Sequence, residues 1–546
     1  MNPFLEKLVT LWPEMIMLVG AVACLATGLA PQAAVRKTTP WVAAGTMVLA
    51  WIVTLVSPVQ DHPLGFGGIV PYVKCLALAM GLILLMLNVG LPDKLRQSLS
   101  AESSKKFDPG NCVRGEFYCF FLLSITGVML TAGATDLVWL FLALELTSLP
   151  TYVMIATSRD RLVAQESAIK YFFLGALSAA VFLYGFALIY GATGFTEFGQ
   201  IAGAVAEMEN GPSSLMILGL VLSILGLCFK IAAVPMHVYA ADVYEGAATP
   251  MTAFLAVVPK TAGFAALILV IGLVGWNPLP EPIAYLLIGI AVLTMTVGNV
   301  LAFIQTNLKR VLAYSSIAHS GYLLTGLVAG FTPDNVAHSS EAVQGGAMGN
   351  GVAAVLFYLL AYGMATAGSF AVLACIRAKH PDIPGGDTEH DTVTYDDLSG
   401  LWWKNPVLAG IMLVAMLSLV GMPPLAGFVG KVYLIGSTFT AGYAVLAVVI
   451  VLNSAISAGY YLRIAMTCFF GMPLDKVSFA KAPTLIAGAV ITTVAAFALG
   501  GFAADGIITK SHDAVVPLSN SEVVVPDTPA TTSSVLDIRG GQDSDS

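Results

Sequence analysis

Two stretches decide the fold: residues 220–240, LVLSILGLCFKIAAVPMHVYA, and residues 417–436, LSLVGMPPLAGFVGKVYLIG. Each is an apolar run of the length that crosses a bilayer, about 20 residues. Each carries one lysine, Lys230 or Lys431, with proline close by. Pro235 lies five residues after Lys230, and Pro423 and Pro424 lie eight and seven residues before Lys431, among Gly421, Gly427 and Gly430. Proline removes a backbone hydrogen bond. The polar groups it frees are tolerated inside a membrane only where protein or water satisfies them. Both stretches therefore read as interrupted membrane helices built around a buried cation, with plain proline kinks as the alternative.

The whole chain agrees with a membrane setting. Of 546 residues, 57% are hydrophobic and 11% charged, against about 25% charged in a soluble domain. That leaves too little polar surface to cover a soluble protein of this size. Net charge is −8, and no basic block points to nucleic acid. The seven cysteines form no CxxC pair, so they read as small core residues and not as metal, cluster or redox ligands. There is no GxGxxG, no GxxxxGK[ST] and no cysteine cluster, so a nucleotide, metal or redox centre on this chain is not expected.

Apolar runs place fourteen spans at 11–30, 41–57, 70–91, 116–135, 137–157, 167–190, 214–240, 249–275, 282–304, 311–330, 350–375, 405–440, 443–470 and 481–504. The first lacks a cleavage site and reads as a helix rather than a signal peptide. The twelfth is too long for one straight crossing. Basic residues partition cleanly between the resulting loops. One set of alternate loops holds Arg36, Lys37, Lys94, Arg96, Lys105, Lys106, Arg114, Arg159, Arg161, Lys309, Arg310, Arg377, Lys379, Lys404, Lys476 and Lys481. The opposite loops hold none and carry Asp61, Glu197, Glu207, Glu209, Glu281, Asp334 and Glu341. Basic loops mark the cytoplasmic side, so both termini are expected on the non-cytoplasmic side. The loop between spans 7 and 8 is awkward: it should be cytoplasmic, yet it holds Asp242 and Glu245. The broken spans are five apart, which inverts the second relative to the first. This gives an all-α polytopic fold with two inverted five-helix repeats, spans 4–8 and 9–13. The divisions are 1–115, 116–275, 282–470, 481–504 and a polar, disordered tail at 511–546, with no amphipathic helix after the last span.

Six basic residues fall inside spans: Lys74, Lys170, Lys230, Lys260, Lys431 and Arg463. A charge at the bilayer centre costs at least about 2.5–3.5 kcal/mol, so such residues face a bundle interior or a hydrated cavity. Lys74 and Arg463 lie near helix ends and read as snorkelling to the interface. Lys170 lies one turn into its span and either snorkels or turns inward. Lys230, Lys260 and Lys431 are central, as is Glu145 in LVWLFLALELTSLPTYVMIA. One static ion pair would not require three central lysines. A free lysine holds its proton until pH ~10.4; burial weakens that hold and a nearby carboxylate restores it. A glutamate that approaches and leaves a lysine thus switches it between holding and releasing a proton. His319, in AYSSIAHSGYLLTG, is either a further proton carrier or a satisfied core histidine.

The stretches GEFYCFFLLS, LALELTSLPTYV, FKIAAVPMHVYAADVYEGAATP, VPKTAG, QTNLKRVLAYSSIAHSGYLL and GMPPLAGFVGKVYL together resemble the antiporter-like membrane subunits of proton-pumping NADH:quinone oxidoreductase, respiratory complex I. The resemblance spans roughly residues 115–470. Within the family the pattern is most similar to subunit N, through ELTSLPTYV and through Lys431, where subunit M usually has glutamate. It departs after His237, where Tyr239 and Ala241 replace the usual Trp and Pro. The resemblance implies that Glu145 pairs with Lys230, that Lys260 is the central connecting lysine, that Lys431 is the terminal one, and that Lys170 belongs to the network beside Glu145. It implies no cofactor on this chain, with NAD, FMN, iron–sulfur clusters and quinone in partner subunits. The implied partners are the antiporter-like M and L subunits, the small K and J subunits, the peripheral redox arm and the lipid of a bacterial inner membrane. A multisubunit Na⁺/H⁺ antiporter subunit is the alternative.

Overall fold

The computed structural model describes residues 10–57, 62–65, 67–89, 115–158, 162–208, 211–276, 279–330, 350–378, 394–472, 477–479 and 483–515. Many of the basic loop residues and the tail from 516 onward lie outside them. The described chain is helical apart from a two-stranded antiparallel ribbon, β1 (Ile376–Ala378) and β2 (Val477–Phe479), with Ile376 opposite Phe479.

In chain order the helices are α1 (Trp12–Gly28), α2 (Ala33–Arg36), α3 (Thr39–Val56), α4 (Ile69–Asn88), α5 (Gly115–Ala132), α6 (Leu137–Ser158) and α7 (Leu162–Thr193). They continue with α8 (Phe198–Ala206), α9 (Ser214–Lys230), α10 (Tyr239–Gly246), α11 (Thr249–Gly272), α12 (Glu281–Ile304), α13 (Leu308–Ala329) and α14 (Gly351–Cys375). The last are α15 (Tyr395–Leu398), α16 (Leu401–Lys404), α17 (Pro406–Val420), α18 (Ala426–Thr440), α19 (Ala444–Phe470), α20 (Pro483–Gly501) and α21 (Ala504–Asp513). Among the described residues eleven helices are long and apolar enough to cross a bilayer, and α1, α9 and α17 are shorter apolar helices. The chain is a multi-pass membrane protein.

Burial orders the bundle. Every residue of α11 is buried, as are nearly all of α13 and α14, so these three form its axis. The outer helices α3 and α7 turn Trp41, Leu55, Phe173 and Tyr184 outward. Such apolar surface would be a liability in water, but in a bilayer it is the face that meets the solvent.

Both expected interruptions are present. α9 stops at Lys230, and α10 begins only at Tyr239. Ala232 adopts a left-handed φ of 55° between them. α17 stops at Val420, and α18 begins at Ala426. Gly421 closes α17 at φ 88°, a conformation that glycine adopts without steric cost.

Several boundaries differ from expectation. α7 starts at Leu162, so Lys170 lies two turns into its helix rather than one. α13 starts at Leu308, because Asn307 caps it by accepting from Lys309 N–H at 2.9 Å. Lys309 and Arg310 are therefore first-turn helix residues and not loop residues. Lys309 is buried, and its ammonium donates to the Ala247 carbonyl at 3.0 Å. A short helix, α21, follows the last apolar helix, where none was expected. It buries Ala504 and Ser511 and turns polar residues outward. Ten residues are too few for apolar periodicity to stand out beside a long span.

Candidate functional site

Glu145 and Ser148 are three residues apart on α6 and so share one helical face. Lys230 reaches both: its ammonium lies 3.0 Å from Glu145 Oε1 and donates to Ser148 Oγ at 2.7 Å. Side-chain exposure is 2% for Lys230 and 16% for Glu145. Lys230 is the last residue of α9, where helix carbonyls without intrahelical partners favour a positive charge.

Side chains of α13, α12 and α10 satisfy groups at the break after Lys230. Ser320 of α13 donates to the Ile231 carbonyl at 2.5 Å. Val234 N–H donates to Thr294 Oγ1 of α12 at 3.1 Å. Tyr239 Oη donates to the Phe229 carbonyl at 2.8 Å. The Phe229 and Ile231 carbonyls and the Val234 N–H are thus satisfied by protein, as a membrane interior demands.

Lys260 projects from the centre of α11 and has no carboxylate partner among the described residues. Its ammonium donates to the Ser316 carbonyl at 2.5 Å and to Ser316 Oγ at 2.8 Å, and lies 4.6 Å from the centre of the Tyr362 ring. Tyr362 Oη donates to the same Ser316 Oγ at 2.7 Å. One turn further along α13, His319 is held between two tyrosines. Nδ1 is 2.7 Å from Tyr358 Oη and Nε2 is 2.9 Å from Tyr461 Oη. Tyr461 also bonds Ser315.

Lys431, buried on α18, donates to the Val420 carbonyl at 2.9 Å. That carbonyl lies at the C-terminal end of α17, freed by the second break, so Lys431 satisfies the interruption itself. It lies 5.0 Å from the centre of the Tyr322 ring. Tyr322 accepts from Asn299 Nδ2 at 3.1 Å, and Asn299 continues to Asn453 and Tyr460. The centre of the bundle therefore holds Glu145, Lys230, Lys260, His319 and Lys431 with hydroxyl, amide and carbonyl groups between them. Among the described residues no direct hydrogen bond joins one cation to the next; serine, tyrosine and carbonyl groups occupy the intervals.

A family model described as "NADH:quinone oxidoreductase/Mrp antiporter, TM" matches residues 134–457, more than half of the chain, including Glu145, Lys230, Lys260, His319 and Lys431. A protein named NADH-quinone oxidoreductase subunit N from Trichlorobacter lovleyi is 41% identical over 404 residues, covering 74% of this chain and 77% of its own. A protein of the same name from Myxococcus xanthus is 36% identical over 517 residues, covering 91% and 96%. The chain belongs to the subunit N family. A chain of respiratory complex I from Thermus thermophilus superposes with a TM-score of 0.69 at 32% identity, covering 91% of this chain and 98% of that one. A chain of the Mrp complex from Dietzia superposes at 0.73 with 20% identity and shares the fold.

Not every charge expected in this subunit N family member lies where the sequence suggested. Lys170 is exposed and pairs with Glu166 at 2.8 Å and Asp242 at 3.2 Å, not with Glu145. Arg310 bridges Asp242 at 3.0 Å and Glu245 at 2.9 Å. The awkward acids between spans 7 and 8 are thus neutralised by Lys170 and Arg310. Arg463 is exposed, with its guanidinium 4.3 Å from the centre of the Tyr395 ring. Lys74 does not snorkel. It is buried against Glu14 at 2.8 Å. The sequence signal for Glu14 is a lone acid at the start of an apolar span, which does not by itself reveal a partner. Asn299 and Asn453 give less, since a lone amide in an apolar helix carries no charge signal.

Proposed function

We propose that this chain is the proton-translocating membrane subunit N of an NADH:quinone oxidoreductase, and that Glu145, Lys230, Lys260 and Lys431 carry the protons, with His319 and Lys170 in secondary roles. The observation that carries this reading is a buried Glu145–Lys230 pair, at a helix break, followed by a buried Lys260 with no carboxylate of its own.

The chemistry follows from that asymmetry. A buried ammonium is costly unless a carboxylate stands beside it. Lys230 holds its proton while Glu145 is at 3.0 Å. When Glu145 withdraws, the proton passes toward the Lys260 region through hydroxyl groups and water. Ser316 and Tyr362 hold the lone pairs and protons nearest Lys260. His319, with both ring nitrogens on tyrosine hydroxyls, lies between the Lys260 and Lys431 environments. The Asp242–Lys170–Arg310 cluster ties α10, beyond the first break, to α7 and α13. Lys170 there sets the charge around the break rather than in the row.

Two inverted repeats, spans 4–8 and 9–13 of fourteen, fit one lysine beside each break, Lys230 before the first and Lys431 after the second. Both termini lie on the non-cytoplasmic face of a bacterial inner membrane in this reading. Moving a charge against 100 mV costs about 2.3 kcal/mol, so an exergonic partner is required. Quinone reduction in the peripheral arm, with NAD, FMN and iron–sulfur clusters held there, is that partner, and the M, L, K and J subunits are the membrane neighbours. An assembled complex bearing both Glu145→Ala and Lys230→Ala is expected to lose most proton pumping while still reducing quinone. Unchanged pumping in that complex would refute the relay.

A further inference from the structure

A second buried acid–base pair lies outside the central row. Glu14 stands in the first turn of α1 and Lys74 in the second turn of α4, 2.8 Å apart, with side-chain exposures of 3% and 8%. Lys74 also donates to the Thr10 carbonyl at 3.3 Å. The pair lines a small cleft with His62, Thr135 and Trp139 at the end of the bundle where α1 and α4 begin and α5 ends.

Glu14 is incompletely served there. Its ion pair to Lys74 engages Oε1 by charge, but neither carboxylate oxygen receives a well-directed hydrogen bond. The His62 ring and the Trp139 indole, which also line the cleft, are committed elsewhere. Leu64 N–H donates to His62 Nδ1 at 3.3 Å, so Nε2 carries the ring proton and donates to the Ala134 carbonyl at 2.9 Å. Trp139 Nε1 donates to the Leu130 carbonyl at 3.1 Å. A buried carboxylate oxygen without a donor is costly, and water or a proton relieves it. Lys74 disfavours a metal ion, because its ammonium already holds the position beside the carboxylate and repels a second cation.

We propose that Glu14 and Lys74 form a proton-exchange site that trades protons with water in this cleft. Hydronium in the cleft gives its proton to Glu14 Oε2 and leaves water behind; the carboxylate becomes a carboxylic acid, and Lys74 stays an ammonium on the Thr10 carbonyl. The reverse step returns the proton to cleft water. The site stands apart from the Glu145–Lys431 row and does not rest on that row carrying protons. By the loop-charge pattern it faces the acidic, non-cytoplasmic side.

The test is an infrared pH titration of the assembled complex. A protonated-carboxyl band should grow on acidification, shift on exchange into D₂O, vanish in Glu14→Gln and persist in Glu145→Gln. A spectrum identical in wild type and Glu14→Gln would overturn the proposal, as would a Glu14-dependent band that ignores D₂O. Should the Glu14 variant fail to assemble, Thr135→Cys leaves the pair intact at the cleft rim. A charged, water-soluble thiol reagent should label it, with Glu207→Cys as the exposed control. Labelling of the control alone would overturn water access. Pumping is not read in either arm, so failure of the relay leaves this test unaffected.

Discussion

Replacing Glu145 by glutamine tests the head of the buried row. The swap conserves shape and removes only the charge facing Lys230, whose side chain is 2% exposed. Breaking a buried ion pair from one side costs about 3–5 kcal/mol. Glu145 keeps 16% side-chain exposure, and Ser148 still accepts from Lys230 at 2.7 Å. The lower end therefore applies, about 3 kcal/mol. At about 1.36 kcal/mol per tenfold change, that is about a hundredfold against the arrangement with a charged Lys230 at the break, so proton transfer through it should slow. The assay is the purified complex in liposomes, with NADH-driven quinone reduction and internal acidification recorded on one sample. Quinone reduction should persist while protons moved per electron fall, and Glu145→Asp should recover part of the loss. An assembled Glu145→Gln complex with the wild-type ratio would show that proton transfer does not need the Glu145 charge.

Three further outcomes are expected. Gly421→Ala places a side chain at φ 88° and brings its Cβ to 3.0 Å from Lys431 Cδ. The left-handed conformation alone costs about 1–2 kcal/mol, so both the melting temperature and pumping should fall; a variant with neither change would contradict the Lys431 geometry. Arg310→Ala removes the Arg310 pairs to Asp242 and Glu245 at partly exposed sites, where each pair is worth about 0.2–1 kcal/mol. Its melting temperature should drop modestly at low salt and match wild type at high salt, and a salt-independent drop would rule out the electrostatic account. His62, in the loop before α4, is held neutral by burial, which pushes its pKa below the ordinary 6.5 despite the Ala134 carbonyl. The unfolded chain then binds the proton first, so stability falls as pH drops below about 6.5; His62→Gln should flatten that slope, measured by thermal melting across pH.

The fold was largely legible because a membrane imposes simple demands on sequence. Apolar length marks the helices, and a lysine beside a proline or glycine break marks the interrupted ones. Lys230, Lys260 and Lys431 are conspicuous because a cation inside an apolar run has no bland explanation. What escaped was pairing across the bundle. No periodicity connects Glu14 on α1 to Lys74 on α4, or Asp242 on α10 to Arg310 on α13, because these contacts arise only when helices distant in sequence pack together. Helix ends were also misjudged where a cap decides them. Asn307 extends α13 back to Leu308 and so converts Lys309 from a loop residue into a buried one. The hydroxyl groups around Lys260 were visible only as a polar-rich stretch, since sequence cannot say which serine faces which lysine.

Whether the buried row carries protons is decided by the ratio of protons moved to electrons transferred in an assembled complex carrying Glu145→Gln, Lys230→Met, Lys260→Met and Lys431→Met together. A ratio below wild type with quinone reduction retained is expected. An unchanged ratio would make this chain a scaffold and exclude proton transfer through these four residues.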